Sequence, residues 1–402
     1  MKNKIEAVHY SHNHNQKKTS IKEFSVEATE KVWNFHQSFP EYSATPLVDL
    51  THLADKLGVK KILVKDESYR FGLNAFKVLG GSYCVGALIA EKMKLNIDEL
   101  PFEKISSPEV KREIGELTFV TATDGNHGRG LAWTANRLGQ KSVVYMAKGT
   151  AEERLTNIQS LGSDASILDL NYDDCVRYAN EMAIQNDWVM VQDTAWEGYE
   201  SIPFHIMQGY TTMANEIIEQ LKETRPTHIF LQAGVGAMAS AITAFFSFYY
   251  PEESRPTIVI VEPEKANCIF KTAQQADGSI YHVTGDMDTI MAGLACGEPS
   301  TISWNIIKDY VDDFLSIPEQ LAAKGMRILG NPLGDDPKVV SGESGAAPFG
   351  TVVEILENSE LQWLKAQLQL DQNSTILCIS TEGDTDQENY RKIVWDGLFP
   401  SY

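Results

Sequence analysis

Short apolar runs alternate with amphipathic segments along most of the chain, and this alternation limits the fold more than any other feature. Eight runs have the length and β-branched content of buried strands: KKILVKDE, LTFVTAT, KSVVYMA, DASILDL, WVMVQDTA, THIFLQAG, PTIVIVEP and STILCISTEG. The segments between them, such as YDDCVRYANEMAIQN, repeat apolar residues with helical spacing. Strands that are apolar on both faces and alternate with helices indicate a mostly parallel sheet covered on both sides. The sequence therefore predicts an α/β fold.

The length of the chain, 402 residues, predicts two domains. Between residues 118 and 195 four strand-like runs and three helix-like segments follow one another, which predicts a small four-stranded domain inserted into a larger one. We expect residues 1–85 and 196–402 to form the larger domain and residues 86–195 the smaller one. Each domain would hold a mostly parallel, twisted sheet flanked by helices.

Charge and apolar content restrict the partners of the chain. The formal net charge of −20 argues against binding to nucleic acid or to an anionic membrane surface, because both are polyanions. The apolar stretches are too short to span a bilayer, and the N-terminal residues lack the apolar core of a secretory signal. The five cysteines show no CxxC spacing, so no metal site is indicated. A cytoplasmic protein that acts on a small molecule is the expectation.

Lys77 lies in an unusually apolar stretch, RFGLNAFKVLGG, between a phenylalanine and a run of aliphatic residues and glycines. A buried lysine is costly unless it is paired, reaches solvent or is used covalently. One interpretation is a lysine near a helix start whose amine reaches water. The other is a desolvated amine that forms a Schiff base.

Polar and glycine-rich stretches follow several of the predicted strands, where ligands of open α/β sheets bind. They are TDGNHGRG, DTAWEGY, AGVGAM and STEGDTD. The loop AGVGAM precedes a helix-like segment and fits either a tight turn or a phosphate-binding loop. Asp124 and Asn126 fit either contacts with a ligand or a cap of the following helix. Read separately, these loops do not decide between the alternatives.

Taken together and in this order, the stretches resemble those of the fold-type II pyridoxal-phosphate enzymes, the group of tryptophan synthase β and threonine deaminase. More narrowly, the chain resembles the diaminopropionate ammonia-lyases. The matching stretches extend from about residue 60 to residue 395 and include KKILVKDESYRFGLNAFKVLGGSY, VQDTAWEGY, IMAGLACGEP, RILGNP and SGESGA. The resemblance implies pyridoxal 5'-phosphate as the cofactor, held in the cleft between the two domains.

The resemblance also implies a role for individual residues around the cofactor. Lys77 would carry it as an internal aldimine, with apolar neighbours that keep the amine neutral enough to react. Asn126 would bond the ring hydroxyl oxygen and Ser380 the pyridine nitrogen. Backbone amides of four residues would bind the phosphate: Gly234, Val235, Gly236 and Ala237.

The reaction implied is the α,β-elimination of 2,3-diaminopropionate to pyruvate and two ammonia molecules, by way of an aldimine and an aminoacrylate, in amino-acid catabolism. Lys77 and Asp124 would take the Cα proton from opposite faces, so that the D- and L-enantiomers both react. Asp193 would pair with the β-ammonium group of the substrate. Glu343 and Ser344 would line the substrate pocket, although Ser344 fits a helix cap equally well.

Two other functions remain compatible with the residues. A serine or threonine dehydratase would use the same cofactor but would not need the carboxylate of Asp193. A non-catalytic pyridoxal-phosphate-binding protein is the second alternative. The resemblance further implies a homodimer. Cys268 and Cys296 both lie in matching stretches, and free thiols are expected for them in the cytoplasm.

Overall fold

The computed structural model of the protein describes residues 4–10, 17–123 and 125–400. Asp124, one of the predicted site residues, lies outside the described residues. The described strands, numbered along the chain, are β1 Glu6–His9, β2 Leu47–Asp49, β3 Lys61–Asp66, β4 Thr118–Thr123, β5 Lys141–Met146, β6 Asp164–Ile167, β7 Val189–Met190, β8 His228–Gln232, β9 Thr257–Pro263, β10 Asp313–Ile317 and β11 Thr375–Ser380.

The described helices are α1 Val26–Gln37, α2 Thr51–Leu57, α3 Val78–Met93, α4 Phe102–Ile105, α5 Pro108–Ile114, α6 Asn126–Arg137, α7 Glu152–Gln159, α8 Tyr172–Asn186, α9 Ser201–Leu221, α10 Ala237–Tyr249, α11 Cys268–Ala273, α12 Thr301–Tyr310, α13 Glu319–Gly330, α14 Glu343–Glu357, α15 Gln362–Gln367 and α16 Gln387–Val394. Several of them begin with local capping. The side chain of Asn171 accepts from the amide of Asp174 at the start of α8, and Asp386 accepts from Asn389 at the start of α16. No described helix is both long enough and apolar enough to cross a membrane.

The larger sheet has seven strands in the order β1-β10-β9-β8-β11-β3-β2. The five inner strands are parallel, and β1 and β2 run antiparallel at the two edges. Every residue of β8 and of β11 is buried, as expected for central strands with helices on both faces. The core beside this sheet joins side chains of β3, β9 and β10, such as Ile62, Val259 and Leu315, with those of α13 and α14.

The smaller sheet has four parallel strands in the order β6-β5-β4-β7. Its strands alternate with α6, α7 and α8, so the predicted strand-and-helix series between residues 118 and 195 is confirmed. Its hydrophobic side chains pack in two clusters, one around Val120 and Cys175 and another around Val144 and Ile158. All eight predicted strands are present in the structure, and the α/β class is confirmed.

Three strands were not predicted, and each is weakly marked in the sequence. β1 and β2 are edge strands of four and three residues. β10 is a buried parallel strand, but its sequence, DFLSI, follows helix α12 without a turn signal and is interrupted by a serine. Short runs of this kind do not carry enough periodicity to be recognised in isolation.

The chain divides into two compact units, which we call the first and the second unit. The first unit comprises Met1–Ser25, Ala44–Tyr69 and Met213–Tyr402, and the second comprises Val26–Ser43 and Arg70–Thr212. The first unit contains the seven-stranded sheet and the second the four-stranded sheet.

These units do not have the boundaries that the sequence predicted, because residues 26–43, 70–85 and 196–212 belong to the second unit. For the last two ranges the reason is close packing of α3 against α6 and α9 within that unit. A Cβ atom at Gly209 would lie 2.4 Å from the carbonyl oxygen of Leu79, and one at Gly130 would lie 2.8 Å from Cα of Val78. Glycines that let helix backbones approach so closely cannot be assigned to a partner from sequence alone.

Candidate active site

Lys77 immediately precedes α3 in the second unit and forms an ion pair there. Its Nζ atom donates a hydrogen bond to Oδ2 of Asp193 over 2.9 Å. The two side chains are largely withdrawn from solvent, with 18% of Lys77 and 8% of Asp193 exposed. Lys77 thus lies at the start of a helix, as the first interpretation has it, but its amine is paired with a buried carboxylate.

The ion pair fixes the charge of Asp193. Burial by itself would raise the pKa of this carboxyl, but the Lys77 ammonium and the nearby His127 lower it to about 2. Asp193 is therefore ionised throughout the neutral range. It can attract a cation, but it does not hold a proton that it could donate at neutral pH.

The apolar surroundings of Lys77 are only part of its environment. Phe76 and Val78 beside it are buried, as the sequence suggested. The carboxylate of Asp193, however, stabilises the ammonium form, which apolar neighbours would disfavour. This partner is 116 residues away along the chain, so the local stretch could not reveal it.

The loop after β4 is held by Thr123, the last residue of that strand. Its hydroxyl oxygen accepts hydrogen bonds from the amides of Gly125, at 3.0 Å, and Gly128, at 3.3 Å. A hydroxyl of the strand thus accepts from the amide of the N-cap residue of α6, Gly125, and from that of the third residue of the helix, Gly128. Asn126 is the first residue of α6. The buried His127 contacts the carbonyl oxygen of Val191 through Nε2 at 2.8 Å.

The glycine loop between β8 and α10 belongs to the first unit, and several of its backbone amides donate no hydrogen bond to a described residue. Within the described part of the chain, no group accepts a hydrogen bond from the amides of residues 234–239. Residues 236–239 are nevertheless buried. Buried amides without a partner are rare, and a helix N-terminus attracts an anion, so these donors fit a bound phosphate.

The two glycines of this loop are required by space and by backbone conformation. Gly236 has a φ of +94°, and a Cβ atom there would lie 2.9 Å from a methyl group of Ile307. A Cβ atom at Gly234 would lie 3.0 Å from Sγ of Cys296 and 3.3 Å from the carbonyl oxygen of Gly293. Side chains at these positions would displace the loop and its free amides.

Ser380 ends β11, and its hydroxyl donates to the hydroxyl of Ser341 over 2.8 Å. The next residue, Thr381, accepts a hydrogen bond of 2.8 Å from Nε2 of Gln232. All four of these side chains are buried. Ser341 and Gln232 were not predicted as site residues. The motif SGESG contains Ser341, but only the fold brings it to the end of β11.

Glu343 begins α14 and lies in an acidic environment. Burial and the neighbouring Glu382 raise the pKa of Glu343 to about 7, while Asn389 donates a hydrogen bond to its Oε1. Glu343 therefore changes its protonation near neutral pH. Glu382 itself accepts from the amide of Ser344 at 3.2 Å.

Ser344 holds another loop. Its hydroxyl oxygen accepts a 3.1 Å hydrogen bond from the amide of Gly293, in the segment that packs against Gly234. The N-cap residue of α14 is Gly342, and Ser344 is the second residue of the helix, so Ser344 is not its cap. Ser344 thus connects α14 to the surroundings of the glycine loop. Cys268 and Cys296 are free thiols, as expected.

Comparison with known proteins identifies the family. Residues 39–381 match the model of the family described as "Pyridoxal-phosphate dependent enzyme". A protein of Salmonella typhimurium named "Diaminopropionate ammonia-lyase" is 52% identical over 371 residues, which cover 91% of this chain and 92% of that protein.

Two crystal structures of diaminopropionate ammonia lyase from Escherichia coli resemble the chain closely. One, in complex with D-serine, has 45% sequence identity, a TM-score of 0.91 and 99% coverage of both chains. The other, in complex with an aminoacrylate-PLP azomethine reaction intermediate, has 45% identity, a TM-score of 0.90 and covers 99% of this chain and 98% of that chain. The chain therefore belongs to the diaminopropionate ammonia-lyase family of pyridoxal-phosphate dependent enzymes.

Proposed function

We propose that the chain eliminates ammonia from 2,3-diaminopropionate, accepts both the D- and the L-enantiomer, and forms pyruvate and two ammonia molecules. The observation that carries the proposal is the carboxylate of Asp193, kept ionised next to Lys77. A substrate with a second ammonium group needs such an anion, whereas serine and threonine offer only a neutral hydroxyl. The names of close relatives point to the same substrate.

The described residues fit the cofactor of the family. The free amides at the start of α10 would bind its phosphate, and Lys77 supplies a primary amine for covalent attachment. Ser380 would meet the pyridine nitrogen, with Ser341 holding its hydroxyl, and Asn126 would bond the ring oxygen. When bound, the cofactor supplies an electron sink for negative charge that develops at the substrate Cα.

Lys77 and Asp124 would remove the Cα proton from opposite faces of the substrate. Each enantiomer presents its proton to one face, so two bases allow both to react. The complex of the E. coli enzyme with D-serine supports a site that admits D-configured ligands.

Asp193 would hold the β-amino group as an ammonium ion. An amine leaves readily only when it is protonated, and an ionised carboxylate stabilises that form. Asp193, whose pKa is held at about 2 beside the Lys77 ammonium, would act as a counter-ion, and the proton on the leaving group would come with the substrate. Glu343 and Ser344 would line the pocket, and Glu343, with a pKa of about 7, can take either charge state at neutral pH.

The substrate itself is tested by comparing diaminopropionate, serine and threonine on one preparation. We expect pyruvate from both enantiomers of diaminopropionate, with kcat/KM about tenfold or more above that for serine, since a charged pair is lost with serine. Ammonia should appear at two equivalents per pyruvate. A chain that prefers serine or threonine and releases one ammonia per keto acid would be a dehydratase, and the proposal would fail.

Asp193→Asn should weaken the recognition of the β-ammonium group. We expect KM for diaminopropionate to rise about 10- to 100-fold, as for loss of a hydrogen bond to a charged partner. Asparagine can still accept from Lys77, so the fold should persist, which a thermal melt checks. Asp193→Glu keeps the charge and serves as the matched control, with a smaller rise in KM. Equal KM values in the wild type and the Asn variant would show that Asp193 does not contribute to substrate binding.

A further inference from the structure

The hydroxyl of Tyr210 has no assigned role and no hydrogen-bond partner among the described residues. Tyr210 lies on α9 in the second unit, and only 1% of it is exposed. Its ring centroid is 4.8 Å from that of Phe76, and a Cβ atom at Gly80 would lie 2.7 Å from its Cε1. The ring is therefore fixed against the chain on both sides of Lys77.

Tyr210 is also in electrostatic contact with the ion pair of the candidate site. The charges of Lys77 and Asp193 both act on its hydroxyl, while burial holds its pKa far above the usual value, so the hydroxyl keeps its proton. Among the described residues it is a donor without an acceptor, and the charge of the Asp193 carboxylate, which Lys77 contacts through Oδ2, acts on it.

The charge of Asp193 also acts on Tyr199, but the hydroxyl of Tyr199 already has hydrogen-bond partners. The hydroxyl of Tyr199 donates to the carbonyl oxygen of Met190 and accepts from the amide of Gln192, both at 2.9 Å. The hydroxyl of Tyr199 thus holds the end of β7, whereas the hydroxyl of Tyr210 donates a hydrogen bond to none of the described residues.

A buried hydroxyl without a partner is destabilising, because it has lost its hydrogen bonds to water and gained none in return. Phenylalanine would fill the same space without that cost. The presence of a tyrosine at position 210 is therefore explained if its hydroxyl has a hydrogen-bond acceptor in another state of the site. Lys77 provides such a state, since covalent attachment of the cofactor would convert its amine to an imine and weaken its pairing with the buried Asp193 carboxylate.

We propose that Tyr210 is a positioning residue whose hydroxyl donates a hydrogen bond to Asp193 whenever the Lys77 amine is engaged elsewhere. It keeps Asp193 charged and correctly placed until the substrate ammonium arrives. The part of this inference that concerns the substrate rests on the proposed function. The part that concerns Lys77 rests only on cofactor attachment.

Tyr210→Phe removes one oxygen atom and tests the inference with three measurements. We expect the melting temperature of the cofactor-free chain to stay equal or to rise, because an unpaired buried hydroxyl is lost. In a titration of that chain with pyridoxal 5'-phosphate, the concentration for half-maximal covalent attachment, followed by absorbance, should rise about tenfold. Turnover of diaminopropionate should fall about 10- to 100-fold in kcat/KM.

Tyr390→Phe is the matched control. The hydroxyl of Tyr390 in α16 is also buried and without a hydrogen-bond partner among the described residues, and the charge that acts on it is that of Asp384. This variant should leave both attachment and turnover at the wild-type values.

The outcomes separate the two claims. A wild-type chain that attaches the cofactor but does not turn over diaminopropionate defeats the proposed function, and the titration still decides the role of Tyr210. Unchanged attachment and turnover in Tyr210→Phe would overturn the inference. So would a loss of stability that accounts for both effects, because Tyr210 would then serve only in packing.

Discussion

Lys77→Ala is expected to abolish turnover of both enantiomers of diaminopropionate and to eliminate the absorbance of lysine-bound cofactor. The variant lacks the primary amine that attaches the cofactor and one of the two proposed bases. It also breaks the 2.9 Å ion pair, which leaves Asp193 buried without its cation. Removing one partner of a buried pair costs about 3–5 kcal/mol, so Lys77→Ala is expected to melt at a lower temperature.

Lys77→Arg separates the chemistry from the stability. Arginine can pair with Asp193, which should restore much of the melting temperature, but it cannot attach the cofactor. We expect Lys77→Arg to be folded and as inactive as Lys77→Ala. Absorbance and pyruvate release are measured on both, together with thermal melts. Turnover in either folded variant would show that another amine carries the cofactor.

The strands were predictable because buried parallel strands carry their own signal. Runs such as THIFLQAG and STILCISTEG are apolar on both faces, and the structure buries every residue of β8 and β11. The loops after them could also be located, since ligands bind beyond the carboxyl ends of such strands. The glycine loop at residues 234–236 is an example, and its amides, which donate to no described residue, fit the role that resemblance implied.

The pairings across the chain could not be predicted, because they depend on how distant segments meet. The stretch around Lys77 contains no hint of Asp193, although that carboxylate determines the electrostatics of the amine. Nor does MQGYTTMANE mark Tyr210 as more than an aromatic residue on an amphipathic helix. The same limit applies to α3, which the predicted boundary after residue 85 divides, because its glycine contacts are not local.

Thr123 shows how the structure changes the meaning of a motif. In TDGNHGRG the acidic residue fits a helix cap, which would explain Asp124 without any chemistry. In the structure the hydroxyl of Thr123, a residue that was not predicted as part of the site, accepts from the amides of Gly125 and Gly128. As the proposed base on the face opposite Lys77, Asp124 would act on one enantiomer.

Asp124→Asn should therefore reduce turnover of D-diaminopropionate far more than that of the L-enantiomer. Asparagine is nearly isosteric with aspartate but cannot accept a proton, and loss of a general base costs about 10² to 10⁴ in rate. Lys77 would still serve the L-enantiomer. Because Thr123 supports the start of α6, folding and cofactor attachment should persist, and a melt and an absorbance spectrum check this.

The decisive measurement for Asp124 is kcat/KM for each enantiomer on one preparation of Asp124→Asn, with Asp124→Glu as the variant that keeps a carboxylate. The ratio of D- to L-turnover should fall by about 10² or more in the Asn variant and recover in part with Glu. Equal losses on both enantiomers would mean that Asp124 orients the cofactor or the substrate in general. If neither rate changed, a single base would serve both enantiomers, and the two-base mechanism would have to be abandoned.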